Sequence, residues 1–185
     1  MSTTEQAVRI ETGAYGVDTV HTQIGFEVKH FGVSTFRGSF GGFSGTITVG
    51  ENGIEKVDGS IEIASVKVPE EQLTGHLLSE DFFDAENHPQ GKFTSTSVEK
   101  VDGENYKVTG DLTLRGVTNQ VVLDVEVEGA GVGMDGNSVL GLKADGLVNR
   151  NDYGISWGAV LDSGAAALAE KVRIVLTVEA VKSGE

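Results

Sequence analysis

No cysteine occurs in the 185 residues, so disulfides, thiolate nucleophiles and thiolate metal sites are all excluded. That absence fits a reducing or an oxidising compartment equally well. Proline is scarce, with 2 residues, and aromatic residues make up 6 % of the chain. No apolar stretch approaches the ~20 residues that a membrane-spanning helix needs. Basic residues are few beside acidic ones, 14 against 28, which gives a formal net charge of −14. Such a chain repels phosphate backbones and anionic lipid headgroups, which argues against nucleic-acid binding and stable membrane insertion. Residues 1–11 lack an apolar run followed by a small-residue cleavage site, so no export signal is read and a cytoplasmic location is expected.

What the chain has in quantity is glycine, 26 residues, which with so little proline points to a β protein rich in turns and bulges and poor in helix. The length suits one filled core or one closed barrel. The clearest pattern is residues 106–118. Tyr106, Val108, Gly110, Leu112 and Leu114 alternate there with Lys107, Thr109, Asp111, Thr113 and Arg115. A period of two is a strand's, and one polar face means a sheet wet on one side only.

The same alternation recurs along the chain. Ile24, Phe26, Val28 and His30 mark a first strand after a polar leader ending near residues 18–22. Phe36, Gly38 and Phe40 hold one phase and Phe43, Gly45, Ile47 and Val49 the other, so an extra residue enters around Gly41 and Gly42 and bends the sheet. Asn52 and Gly53 are placed to supply the positive φ angles of a tight hairpin before a strand through Val57, Gly59, Ile61 and Ile63. Residues 69–79 break the pattern: Pro69, Glu70 and Glu71 suit a first helical turn, and Leu73 and Leu77 lie one turn apart. A further turn carries Phe82, Phe83 and Asp84. Strands then follow at residues 93–98, 106–114, 121–127, 140–146 and 172–180.

That makes eight strands, a number that can close into a barrel whose interior is either plugged by side chains or just wide enough for one slender ligand. Gly38, Gly45, Gly59, Gly110 and Gly146 fall on inward phases, where they either leave room or relieve corners in a tightly coiled sheet. Gly131, Gly133 and Gly136 fit G-x-G-x-x-G, but a strand follows them rather than a helix, so the run is read as a hairpin turn. His21, His30, His76 and His88 lack the spacing of a helical zinc site, and no Gly-x-Ser-x-Gly nucleophile elbow is present. No catalytic residue, cofactor or metal is therefore expected. Asp18 and His21 are close enough in sequence for a hydrogen bond that ties down the start of the sheet.

Four runs taken together carry a family resemblance: Val17 to Thr22, Phe82-Phe83-Asp84 with Pro89 and Phe93, Gly110 to Thr118, and Asn149-Arg150-Asn151-Asp152-Tyr153-Gly154-Ile155. In this order the chain resembles YceI-like proteins from about Tyr15 to Ala180. The resemblance implies an all-β fold, an eight-stranded antiparallel lipocalin-like barrel with one or two short helices. It also implies an elongated cavity for an apolar lipid such as a polyisoprenoid, an isoprenoid quinone or a similar chain. The leader is expected to cover residues 1–12, flexible and polar, with one barrel domain over 13–182. One departure concerns the helix. The family pattern Ser-x-x-Thr, then an Arg-Asp pair before His-Leu, becomes here Ser65 and Val68, with Leu73 and Thr74 ahead of His76 and Leu77.

The inward apolar set is Phe26, Val28, Phe40, Tyr106, Val108, Leu112, Leu114, Leu123 and Trp157. These residues either fill a solid core or, as the resemblance implies, line a ligand cavity. Leu77, Phe82 and Phe83 are then expected at one rim, and Phe31, Phe36 and Trp157 in the pocket or at its mouth. Three functions follow: a non-catalytic lipid carrier or store, an enzyme on an isoprenoid or quinone using Asp18, His21 and His76, and an interaction module with a filled barrel. An exposed edge could also pair two barrels as a homodimer.

Overall fold

The computed structural model describes residues 8–158, 162–164 and 166–184; residues 1–7 of the expected leader lie outside them. Strands β1 (Gly13–Val17), β2 (Gln23–His30), β3 (Ser34–Phe40), β4 (Phe43–Gly50), β5 (Gly53–Glu62) and β6 (Val66–Lys67) precede helix α1 (Glu71–Leu78). Strands β7 (Gln90–Lys100), β8 (Asn105–Leu114), β9 (Val117–Val132), β10 (Ser138–Asn149) and β11 (Leu168–Lys182) complete the chain. All pairings are antiparallel. β1, β4, β5, β7, β8, β9, β10 and β11 follow one another around a ring that β1 and β11 close, so the wall is an eight-stranded barrel.

The ring closes because β11 is long. Its C-terminal residues pair with β1 (Val17 with Ala180), and its earlier residues pair with β2 (Ile24 with Leu176). β1 and β2 are thus two halves of one broken strand, as are β3 and β4 beside them. The break in the second pair falls at Gly41 and Gly42, where the change of phase predicts an insertion. β1 itself goes unread in the sequence: five residues are too few to establish a period, yet Tyr15 in this strand is 1 % exposed. Just before it, Val8 and Ile10 pack on the core.

The tight turns follow from backbone chemistry. Arg115 and Gly116 have φ of 51° and 72° between paired Leu114 and Val117, the two-residue loop that matches strand twist. At the β4–β5 hairpin the expectation is corrected. Gly50 pairs with Gly53, the loop is Glu51 and Asn52, and only Gly53 takes positive φ, at 110°. A side chain at Gly53 would also meet the Tyr106 hydroxyl. The G-x-G-x-x-G run is a hairpin: Gly133 N–H donates to Asn137 O, and Asp135 accepts from the Asn137 amide.

Helix α1 is shorter than the segment expected for it, and Leu73 is 36 % exposed while Leu77 packs inward. Buried residues gather in three clusters. The largest, around Tyr15, Ile47, Tyr106, Val108, Val127 and Leu140, fills one end of the barrel. Two smaller ones, Phe40 with Ile63 and Val66, and Phe82 with Tyr153 and Ile155, lie under α1 and the turn that follows β10.

Candidate functional site

Between the filled end and the helix lies a cavity of about 280 Å³. That is nearly twice the roughly 150 Å³ of an apolar protein cavity that stays dry and takes up benzene. The barrel is therefore plugged at one end and hollow toward the other, a combination of the two arrangements its sequence allows.

The expected residues divide into two groups. Phe26, Val28, Phe36 and Phe40 line the cavity from β2 and β3; Val108, Leu112 and Leu114 line it from β8, and Leu123 from β9. Leu77, Phe82 and Phe83 reach it from α1 and the turn behind it. Three others stand elsewhere. Tyr106 is 3 % exposed within the filled end, so it belongs to the plug. Phe31 is half-exposed at the tip of the β2–β3 hairpin, with φ of 53° and its ring 3.9 Å from that of His30. Trp157 is 38 % exposed and stacks edge-on against His76 at 4.9 Å and tilted against Phe82 at 5.3 Å, which places it on the rim.

The inward glycines divide as well. At Gly38 a Cβ would run into the Phe26 ring, and at Gly110 into the Phe93 ring, so these two gaps are already occupied by phenylalanines. At Gly146 the obstacles are Val122 O and Leu123. Gly45 and Gly59 face each other in register on β4 and β5 and line the cavity. A Cβ at Gly59 would meet nothing nearer than Ser44 O at 3.5 Å, so the wall here is bare backbone beside open space.

Several lining residues escape sequence reading. Val148 extends the inward phase of residues 140–146 by one step, whereas Arg150, Tyr153, Ile155 and Leu168 come from the 3-10 turn Arg150–Tyr153, the loop after it and the start of β11, where no alternation marks an inward side. Arg150 is 9 % exposed. Its Nε donates to Ala169 O, Nη1 to Ile155 O and Trp157 O, and Nη2 to Leu168 O. Burial pushes its pKa down, and the nearby Glu170 charge pulls the other way. Tyr153 is 2 % exposed, and burial raises its phenol while Asn119 beside it acts in the opposite sense.

Arg115 fastens the rim. Its Nη2 donates to Glu80 O at 2.6 Å, behind α1, and its Nη1 donates to Gly154 O, behind the 3-10 turn. Asn119 donates to Asp152 O, a third tie between the β8–β9 region and that turn. His76 pairs with Asp81 at 3.1 Å.

Asp18 and His21 sit at the β1–β2 break and are not part of the cavity lining. His21 Nδ1 lies 2.8 Å from Asp18 Oδ2 and 3.7 Å from Glu179 Oε1, and Thr22 Oγ1 donates to Glu179 O. The Asp18 hydrogen bond, followed by the Asp18 and Glu179 charges, raises the imidazole pKa, and the same bond lowers that of Asp18. These three side chains bring ligand atoms within 4.8 Å of one another on the outer surface, enough to hold a cation by geometry alone. They are stitching residues for the strand break, and His76 belongs to the separate rim group.

Residues 15–180 match the YceI-like domain. The chain belongs to the YceI-like family. Among relatives, a UPF0312 protein of Pectobacterium carotovorum is 38 % identical over 164 residues, covering 88 % of this chain and 82 % of that protein. Two solved structures share the fold. Burkholderia cenocepacia BcnA has a TM-score of 0.77 at 22 % identity, covering 88 % of this chain and 98 % of BcnA. A polyisoprenoid binding domain from Saccharophagus degradans has a TM-score of 0.68 at 12 % identity, covering 94 % and 100 %. In this YceI-like chain Arg115 ties the later family runs together. Arg115 from the Gly110–Thr118 run reaches the backbone at Gly154 in the Asn149–Ile155 run and at Glu80 beside Phe82.

Proposed function

We propose that the protein is a non-catalytic carrier or store for an elongated apolar lipid, a polyisoprenoid, isoprenoid quinone or similar chain, held in the barrel cavity. The observation that carries this reading is the hollow itself, with almost wholly apolar walls between a plugged end and a rim of Leu77, Phe82, Phe83 and Trp157. Each methylene buried there contributes about 0.8 kcal/mol, so a long tail needs few polar contacts to bind. The polyisoprenoid binding of the Saccharophagus degradans domain, which shares the fold, supports the ligand class. The ligand-facing residues in this reading are those that line the cavity, with Trp157 as a mouth residue. Of the groups an enzyme reading would use, Asp18 and His21 lie away from the cavity, and His76 stands at the rim against Phe82 and Trp157.

Native mass spectrometry of the freshly purified protein, followed by solvent extraction, tests the proposal. A bound lipid at one per chain, or uptake of an added isoprenoid after extraction, is expected. Repeated recovery of empty protein that takes up no isoprenoid overturns it.

A further inference from the structure

The polar members of the cavity lining are few. Ser44, Asp58, Ser60 and Lys92 occupy the outward phase of β4, β5 and β7, beside the inward Gly45, Gly59 and Gly91. The remaining two, Arg150 and Tyr153, both come from the single 3-10 turn behind β10.

Both carry unmet hydrogen-bonding capacity. A guanidinium has five N–H groups, and Arg150 places four hydrogen bonds on backbone carbonyls. Those acceptors are neutral dipoles. No carboxylate lies within ion-pair distance of it among the described residues, so a cation is buried without a partnering anion. Such a charge is costly unless something else compensates it. The Tyr153 hydroxyl is buried with no hydrogen-bond partner among the described residues. The Asn119 amide beside it gives one N–H to Asp152 O and, although it acts on the phenol, makes no hydrogen bond of full geometry to the hydroxyl. A donor left unmade in an apolar site costs the protein its desolvation.

Resting on the cavity being a lipid site, we infer that the Arg150–Tyr153 turn is a head subsite for a lipid ending in an anionic oxygen group, a carboxylate or a phosphate monoester. One such group accepts from both donors, neutralises the buried guanidinium and leaves its tail among Leu112, Leu114 and Phe93. The chain's net charge of −14 repels anions at long range, so the preference arises inside the barrel, where screening is weak.

Delipidated full-length protein would be titrated with palmitate and hexadecanol, and with farnesyl monophosphate and farnesol, by calorimetry and by the fluorescence of Trp157, the only tryptophan. Each anion is expected to bind about tenfold or more tightly than its alcohol, the difference one charge-assisted hydrogen bond makes. The pair with the larger ratio distinguishes a fatty acid from a prenyl phosphate. Tyr153→Phe is expected to shrink that ratio several-fold with little change in the thermal midpoint, since the hydroxyl makes no hydrogen bond of full geometry in the empty protein. A carboxyl-¹³C palmitate is expected to stay ionised to lower pH when bound to the unsubstituted protein than to the Phe variant. Equal affinity for anion and alcohol, or a Phe variant that discriminates fully, overturns the subsite and leaves the lipid cavity standing. Failure of all four probes to bind overturns the lipid reading itself.

Discussion

At the scale of single residues, the meaning of a glycine depends on what its neighbour strand places opposite it. Gly38 and Gly110 are gaps filled by Phe26 and Phe93, whereas Gly59 fronts open cavity. Substitution should therefore act in opposite directions. Gly38→Ala forces the Phe26 ring to move and is expected to cost about 1–3 kcal/mol in urea unfolding, the usual range for overpacking. Gly59→Leu enters space that is free, so the urea midpoint should hold or rise while bound lipid per chain, counted by native mass spectrometry, falls well below that of the unsubstituted protein. A Gly59→Leu protein that keeps a full lipid complement would mean that the ligand does not occupy the β4–β5 side of the hollow.

At the scale of elements, the rim is a three-way joint. Arg115, itself at positive φ, donates from the β8–β9 hairpin to carbonyls behind α1 and behind the 3-10 turn. Arg115→Ala should cost about 1 kcal/mol, the net worth of such bonds at a partly exposed site, and speed hydrogen exchange at residues 82–85. The β1–β2 break is the second joint. His21, with its pKa raised by Asp18, stabilises the fold fully below its unfolded value near 6.5 and stops doing so as pH climbs through the raised native value. Asp18, with its pKa lowered, stabilises above about 3.9 and stops as pH falls through its native value. Both act together between about pH 4 and 6.5, so His21→Gln should lower the thermal midpoint there and leave it unchanged above pH 9. These joints also explain what the sequence discloses. Seven of the eight walls are legible, most from alternation and β7 from a run rich in Thr and Ser; the strand read at residues 24–30 is β2, the continuation of the eighth wall across its break. β1 is too short to show a period. The end of the cavity at Arg150 and Tyr153 is made of turn and loop, where inwardness is decided by Arg150 bonding to four carbonyls and not by any spacing. Tyr106 follows the same inward phase as Val108, yet the plug claims it, because depth along a barrel leaves no mark on a one-dimensional pattern.

At the scale of the whole molecule, the barrel is stable around a void, and the void has a thermodynamic cost that a guest removes. Side chains facing empty space lose dispersion contacts that a hydrocarbon would restore. A ligand that binds only the folded state adds RT ln(1 + [L]/Kd), about 2.7 kcal/mol when its free concentration is a hundred times Kd. For a chain of this size each kcal/mol moves the midpoint by about 2–4 °C, so solvent-stripped protein should melt about 5–10 °C below the same protein reloaded with an isoprenoid. The β1–β11 closure should survive stripping, because its pairs and the plug around Tyr15 and Tyr106 lie at the filled end. Exchange protection on β1 should then stay constant while that on α1 falls. If scanning fluorimetry finds the stripped and reloaded midpoints equal while binding is saturated, the guest binds the unfolded chain as well as the folded one, and the hollow is not its site.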